Sequence, residues 1–220
     1  MTSNTLEVIN GASALYAGTQ GFHQGLSLVV LSHETFEKDP WPVEKFGEDG
    51  RAEAHVLFRN FTAWSKRQIG TPRDNHVLLT GLDLLRGVAG VGHFKGMCTS
   101  DYSHNMNRCP QRIPSGTCSF ILSHELGHNL GMNHDGHDNN CAVKGNIMGA
   151  HANAAAAKAR FSDCSVEDFN EWAWKEHVDN GECVAKLAGD SQRSADLKDQ
   201  AGGLVPSVLL GVLCMMALAS

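Results

Sequence analysis

The order of apolar and polar positions changes period several times along the chain, and each change marks a structural element. Residues 5–17 read as a helix. The run Leu26-Ser-Leu28-Val29-Val30-Leu31, inside Gly25 to Phe36, is apolar enough for a strand covered by the protein. A second helix is predicted from Arg51 to Ile69, where Leu57, Phe61 and Trp64 recur at helical spacing and form a core-facing stripe. Val77 to Thr80 and a glycine-rich stretch from Gly87 to Gly96 supply further strands. Leu122, Leu126 and Leu130 repeat every four residues, the mark of a helix packed along one face. Beyond residue 186 the pattern fades into a polar linker at 187–203, and an apolar run then fills 204–220.

Composition narrows the function classes. With a formal net charge of -6 and no basic run, the chain lacks the positive face that a nucleic-acid partner requires. At 220 residues and 42% hydrophobic it can bury one good core, so one domain with a tail is expected, acting as a monomer. Of the seven cysteines, Cys98, Cys109, Cys118, Cys141, Cys164 and Cys183 fall before the polar linker, and Cys214 lies in the apolar tail. An even set in one segment suggests disulfides and an exported protein, although spacing alone does not choose the pairing. No CxxC pair suggests a cysteine-held zinc.

The chemistry concentrates in His124-Glu125-Leu-Gly-His128-Asn-Leu-Gly131-Met-Asn-His134-Asp135. Positions four apart share a helix face, so His124 and His128 can aim ring nitrogens at one ion. Gly131 takes a positive φ at little steric cost; the helix can end there and swing His134 round as the third ligand. Such a site leaves a fourth position open to water, and zinc lowers that water's pKa from about 15.7 toward ~7. Glu125, one position along, is placed to act as general base rather than ligand. Bare HExxH arises by accident, but a chance match to the longer HExxHxxGxxHD string is rarer than one in roughly 10⁴ chains of this length.

In these residues the chain resembles the metzincin zinc metallopeptidases, and Asp135 after the third histidine is similar to the adamalysin, or reprolysin (ADAM-type), branch. The segments Arg73-Asp74-Asn-His-Val-Leu-Leu-Thr-Gly81, Gly96-Met97-Cys98, Phe161-Ser162-Asp163-Cys164-Ser165 with Phe169, and Gly181-Glu182-Cys183 extend the likeness from about residue 5 to 186. The resemblance implies an α/β (α+β) metzincin-like fold, with a mixed twisted sheet, long helices, a zinc helix carrying HExxH and a C-terminal subdomain. Met148, in Asn146-Ile147-Met148-Gly149, would form the methionine turn beneath one catalytic Zn2+. It implies the pairs Cys98–Cys183, Cys141–Cys164 and Cys109–Cys118. It also implies that the edge from Gly90 to Phe94 pairs with an extended peptide substrate, although those glycines read equally well as turn residues. The implied activity is that of a zinc metalloendopeptidase acting on extracellular or cell-surface proteins. The alternative is a catalytically impaired, zinc-containing surface binding module.

Some segments depart from the family pattern or add to it. Residues 1–186 would form the peptidase domain, N-terminally truncated: Met1-Thr-Ser-Asn-Thr-Leu-Glu is no secretory leader, and the family's first, interior strand is not visible. Its calcium site is in doubt, since Asp74 matches one ligand while Lys186 stands where an amide is expected. The small polar residues before an uncharged apolar tail read as a glycolipid (GPI) anchor signal, with a membrane-spanning helix as the competitor and a buried or disordered tail as the remaining reading. Ala150 to Ala159 reads as a pocket border or a connector. Asn60-Phe61-Thr62 is a glycosylation acceptor triplet, and His93, His137 and His151 read as solvated.

Overall fold

A computed structural model describes residues 2–22, 25–36, 38–46, 49–68, 74–150, 160–172 and 207–217. In chain order the elements are α1 (Thr2–Ala17), β1 (Gly25–Phe36), β2 (Lys45–Phe46), β3 (Arg51–Ala52), α2 (Ala54–Gln68), β4 (Asn75–Thr80), β5 (Gly90–Gly92), β6 (His104–Arg108), α3 (Ser115–Asn129), α4 (Asp163–Phe169) and β7 (Ser207–Ala217). The main sheet has the order β1-β7-β4-β6-β5. Its first four strands run parallel, and β5 is antiparallel to β6 at the edge. The short pair β2-β3 stands apart from it.

Both faces of the sheet are covered, and β4 shows how. All six of its residues are buried. Successive side chains point to opposite faces, so Val77 and Leu79 join a core with Val8, Ile9 and Tyr16 of α1 and Leu122 and Leu126 of α3. Leu78 joins another core with Leu57, Phe58, Phe61 and Trp64 of α2. The stripe read from the sequence is therefore the inner face of α2. Helices α1 and α3 pack closely because Gly11 faces Ser119, whose hydroxyl donates to the Val8 carbonyl at 2.9 Å; the Tyr16 hydroxyl donates to Ser123 O at 2.8 Å.

Two strands depart from the sequence reading. Strand β6 was not anticipated, because Asn105 and Asn107 look like loop residues. Both are fully buried, and their amide nitrogens are absorbed by a ladder in which Asn107 donates to Asn105 Oδ1 at 2.7 Å, and Asn105 to Asn75 Oδ1 at 2.7 Å and Asn129 Oδ1 at 3.0 Å. The apolar tail, expected as an anchor signal or spanning helix, is β7, lying between β1 and β4 with Leu28 opposite Leu210 and Leu78 opposite Met215. A parallel interior strand covered on both faces needs a continuous apolar run, and periodicity cannot separate that from a membrane signal. The sheet expected to lack an interior strand thus has one. No helix among the described residues is long and apolar enough to cross a membrane.

Candidate active site

Helix α3 is buried on nearly every side, so its residues hold fixed directions. It stops where Gly131, at φ +88, closes a left-handed cap: Gly131 N donates to His128 O at 3.0 Å and Met132 N to Gly127 O at 2.9 Å. A side chain at 131 would strike the Trp172 ring, which comes within 2.7 Å of a Cβ there. The turn redirects the chain so that His134 Nε2 lies 3.1 Å from His124 Nε2 and 3.1 Å from His128 Nε2. Among the described residues these three form a group able to hold a metal ion, with all ligand atoms within 4.8 Å of one another.

Nitrogens sharing a tetrahedral zinc at ~2.0–2.1 Å stand roughly 3.3 Å apart, so the spacing suits that ion. The protonation pattern suits it as well. His124 Nδ1 lies 2.7 Å from the Ile147 carbonyl and His128 Nδ1 lies 2.9 Å from the Met132 carbonyl. A carbonyl only accepts, so both Nδ1 atoms carry the proton and both Nε2 lone pairs face the centre. Desolvation pulls His124 down to about 4, the Ile147 bond opposing it and His134 assisting. Desolvation first, then the neighbouring His124 and His134, take His128 to about 3. Burial pushes Glu125, beside these histidines, up to about 8.

The residues around the three histidines fix His134. Asp135 N donates to Met148 O at 2.9 Å, while its carboxylate accepts from the Ser162 hydroxyl at 2.5 Å. Ser162 also caps α4 by accepting from Ser165 N at 3.1 Å. Asn133 N donates to Asp168 Oδ2 at 2.8 Å. The loop holding His134 is thereby fastened to α4 on both sides of the ligand. Met148 is fully buried under the helix, its sulfur 2.5 Å from where a Cβ on Gly127 would be; that glycine makes room for it between the two ligand-bearing turns.

Cysteine bonds brace this assembly. Cys109 is joined to Cys118 across a Cα separation of 5.5 Å, fixing the first turns of α3 to the end of β6. Cys141 is joined to Cys164 across 6.2 Å, fixing the loop after His134 to α4. Cys98 is disulfide-bonded; its expected partner Cys183 lies outside the described residues, as do Lys186, His151 and most of Ala150 to Ala159. His93, read as solvated, is half-buried against Phe58 and Tyr102, with ring centroids at 4.7 and 5.2 Å. His137 is exposed.

Sequence reasoning missed Ser162 and Asn129. The signal for Ser162 was its place three residues before Ser165 at the start of a helix. Asn129 carried no such signal, being one of several polar residues on the helix. It donates to His93 O at 2.8 Å and His104 O at 3.1 Å, tying the zinc helix to the sheet edge.

A mixed sheet backed by a buried helix, two of its imidazoles joined by a third beyond a glycine cap above a methionine, defines a metzincin-type zinc centre. The Reprolysin (M12B) family zinc metalloprotease matches residues 28–187, and the chain belongs to this family. It is 34% identical over 122 residues to the snake venom metalloproteinase fibrolase of Macrovipera lebetinus, covering 54% of this chain and 59% of that protein. It is 34% identical over 123 residues to a zinc metalloproteinase/disintegrin of Bitis gabonica, covering 55% and 37%. It is 32% identical over 176 residues to a disintegrin and metalloproteinase with thrombospondin motifs of Caenorhabditis elegans, covering 76% and 12%. The chain thus spans 59% or less of these relatives' lengths.

Proposed function

We propose that this chain is a zinc-dependent metalloendopeptidase that hydrolyses peptide bonds of extracellular or cell-surface proteins, with His124, His128 and His134 as ligands and Glu125 as general base. The observation carrying this reading is the convergence of the imidazole Nε2 atoms, His134 lying 3.1 Å from each of the others, on the helix that also bears a buried glutamate. Bound there, a zinc ion supplies a Lewis acid for the scissile carbonyl, acidifies a water and draws Glu125 toward its carboxylate form. Glu125 takes the proton of the attacking water and passes it to the departing amine. His124 and His128 stay neutral because burial opposes their protonation, and Asp135 with Ser162 keeps His134 in place.

Strand β5, at the sheet edge, offers its outer backbone groups to an extended peptide, a mode of binding that needs no particular side chains. Disulfides persist in oxidising compartments, which supports action outside the cytosol. The similarity to a venom protein supports the same location. We assign residues 1–186 together with β7 to the peptidase unit, and 187–203 to the polar segment that precedes β7.

The test is cleavage of a quenched peptide by the purified chain and by Glu125→Ala, with bound zinc measured in both. The variant should keep its zinc and lose about 10²–10⁴-fold in kcat. Equal turnover in the two proteins would remove Glu125 from the chemistry.

A further inference from the structure

The edge strand and the glutamate meet in a way the reaction scheme above does not use. In a strand, residues i and i+2 share a face, so Gly90 and Gly92 look the same way while Val91 looks the other. Val91 packs into the core beneath α2. The face of the two glycines is filled instead by Glu125. A Cβ built on Gly90 would lie 2.6 Å from Glu125 Cγ, 2.6 Å from its Oε1 and 2.8 Å from its Cδ; one built on Gly92 would lie 2.7 Å from the Glu125 carbonyl oxygen and 3.2 Å from its Oε2. Carbon–carbon contacts are comfortable at roughly 3.5–4.0 Å, so a methyl group fits at neither position without moving the glutamate or its helix.

Backbone conformation does not explain these glycines. Neither has a positive φ, in contrast to Gly87 and Gly131 at +71 and +88. Both are paired in the ladder with β6, Gly90 opposite Asn107 and Gly92 opposite Asn105. Any residue could adopt that backbone, and glycine in a strand interior is destabilising relative to alanine. What glycine provides here is empty volume, and Glu125 occupies it.

We infer that Gly90 and Gly92 form a side-chain-free seat in β5 for Glu125 and are positioning residues for its proton transfers, holding the glutamate at a fixed depth against the strand that binds substrate. Gly90 sets the carboxyl group, since the atoms it would strike are the outer part of a side chain. Gly92 sets the helix, since the atom it would strike is backbone. The catalytic consequence rests on the peptidase reading; the seat itself is measurable without turnover.

The experiment is a double-mutant cycle read by thermal unfolding, with kinetics and zinc content alongside. Gly90→Ala should lower Tm by on the order of 5 °C, because the added methyl overpacks a filled site in a domain of this size. In a Glu125→Ala background, where the space is vacated, the same substitution should cost less than half of that shift. Gly90→Ala should also lower kcat about 10- to 100-fold, with KM within about twofold and zinc content unchanged. Gly116→Ala, on the open side of α3, is the control and should leave Tm and kcat unchanged or Tm slightly raised.

Additive Tm shifts, or full kcat in Gly90→Ala, would overturn the assignment. If Gly90→Ala alone does not fold, recovery of folded protein in Gly90→Ala/Glu125→Ala supports the seat, and failure of both overturns it. Coupled Tm shifts in a chain that cleaves nothing would refute the peptidase reading while leaving the seat in place.

Discussion

A histidine binds a metal ion only through a neutral ring, and burial gives His124 and His128 that form before any ion arrives. Their values of about 4 and about 3, against an ordinary 6.5, also make a statement about stability. In the metal-free protein, between those values and 6.5, the unfolded chain binds more protons than the folded one, so stability rises with pH. Glu125 works in the opposite sense. Held at about 8 against an ordinary 4.5, it keeps its proton in the folded state while the unfolded chain has lost it, so stability falls as pH rises across that window. Above about 6.5 these histidine contributions are spent and the glutamate contribution remains. Chelated protein should therefore lose stability from pH ~6.5 to ~8, and Glu125→Gln should abolish that loss; urea midpoints across the range decide it. The same decline in both proteins would place the titrating group elsewhere. Ser162 makes a separate test. Removing its hydroxyl by Ser162→Ala takes away the donor to the buried Asp135 carboxylate beside His134, and zinc affinity should drop about 10–100-fold with the peptide backbone still folded. Competition with a zinc-binding dye would show it, and an unchanged affinity would detach Asp135 from the ligand loop.

At the scale of elements, the zinc helix was the most legible part of the sequence, because ligand spacing, a cap glycine and the leucine stripe all agreed on one geometry. The covalent braces and Met148 were reached through resemblance, not through spacing. Strand β6 was illegible for a physical reason. Asn105 is stable inside because Asn75 and Asn129, far away in sequence, accept from its amide, and Asn107 donates in turn to Asn105 and to the Leu78 carbonyl. The glycines of β5 were ambiguous for a similar reason: turn and close approach demand the same residue, and only the position of Glu125 separates them. Strand β7 is the largest departure, since a run of apolar residues reads alike for an interior parallel strand and for a lipid-directed segment. Its placement has a direct test. Val212 sits opposite both Val30 and Asn75, and a proline there cannot donate to the ladder. Val212→Pro should cost about 1–3 kcal/mol, the penalty of a buried ladder acceptor left without its donor, seen as a fall in the denaturation midpoint. A midpoint equal to wild type would return residues 204–220 to the anchor or spanning reading.

Over the whole molecule, one sheet organises the chemistry. Two cores clamp it from opposite faces, α3 lies on one of them, and the edge strand β5 brings backbone groups up to the glutamate that α3 carries. Disulfides hold both ends of the ligand-bearing segment, at Cys109–Cys118 before His124 and at Cys141–Cys164 after His134. The net charge of -6 gives no electrostatic draw toward polyanions. All of this presupposes one metal ion held by three imidazoles. X-ray absorption at the zinc edge of stoichiometrically loaded protein examines that directly. The expected spectrum has three histidine nitrogens at ~2.0–2.1 Å, one of them lost in His134→Ala. Sulfur neighbours at ~2.3 Å, or a spectrum unchanged by His134→Ala, would contradict it.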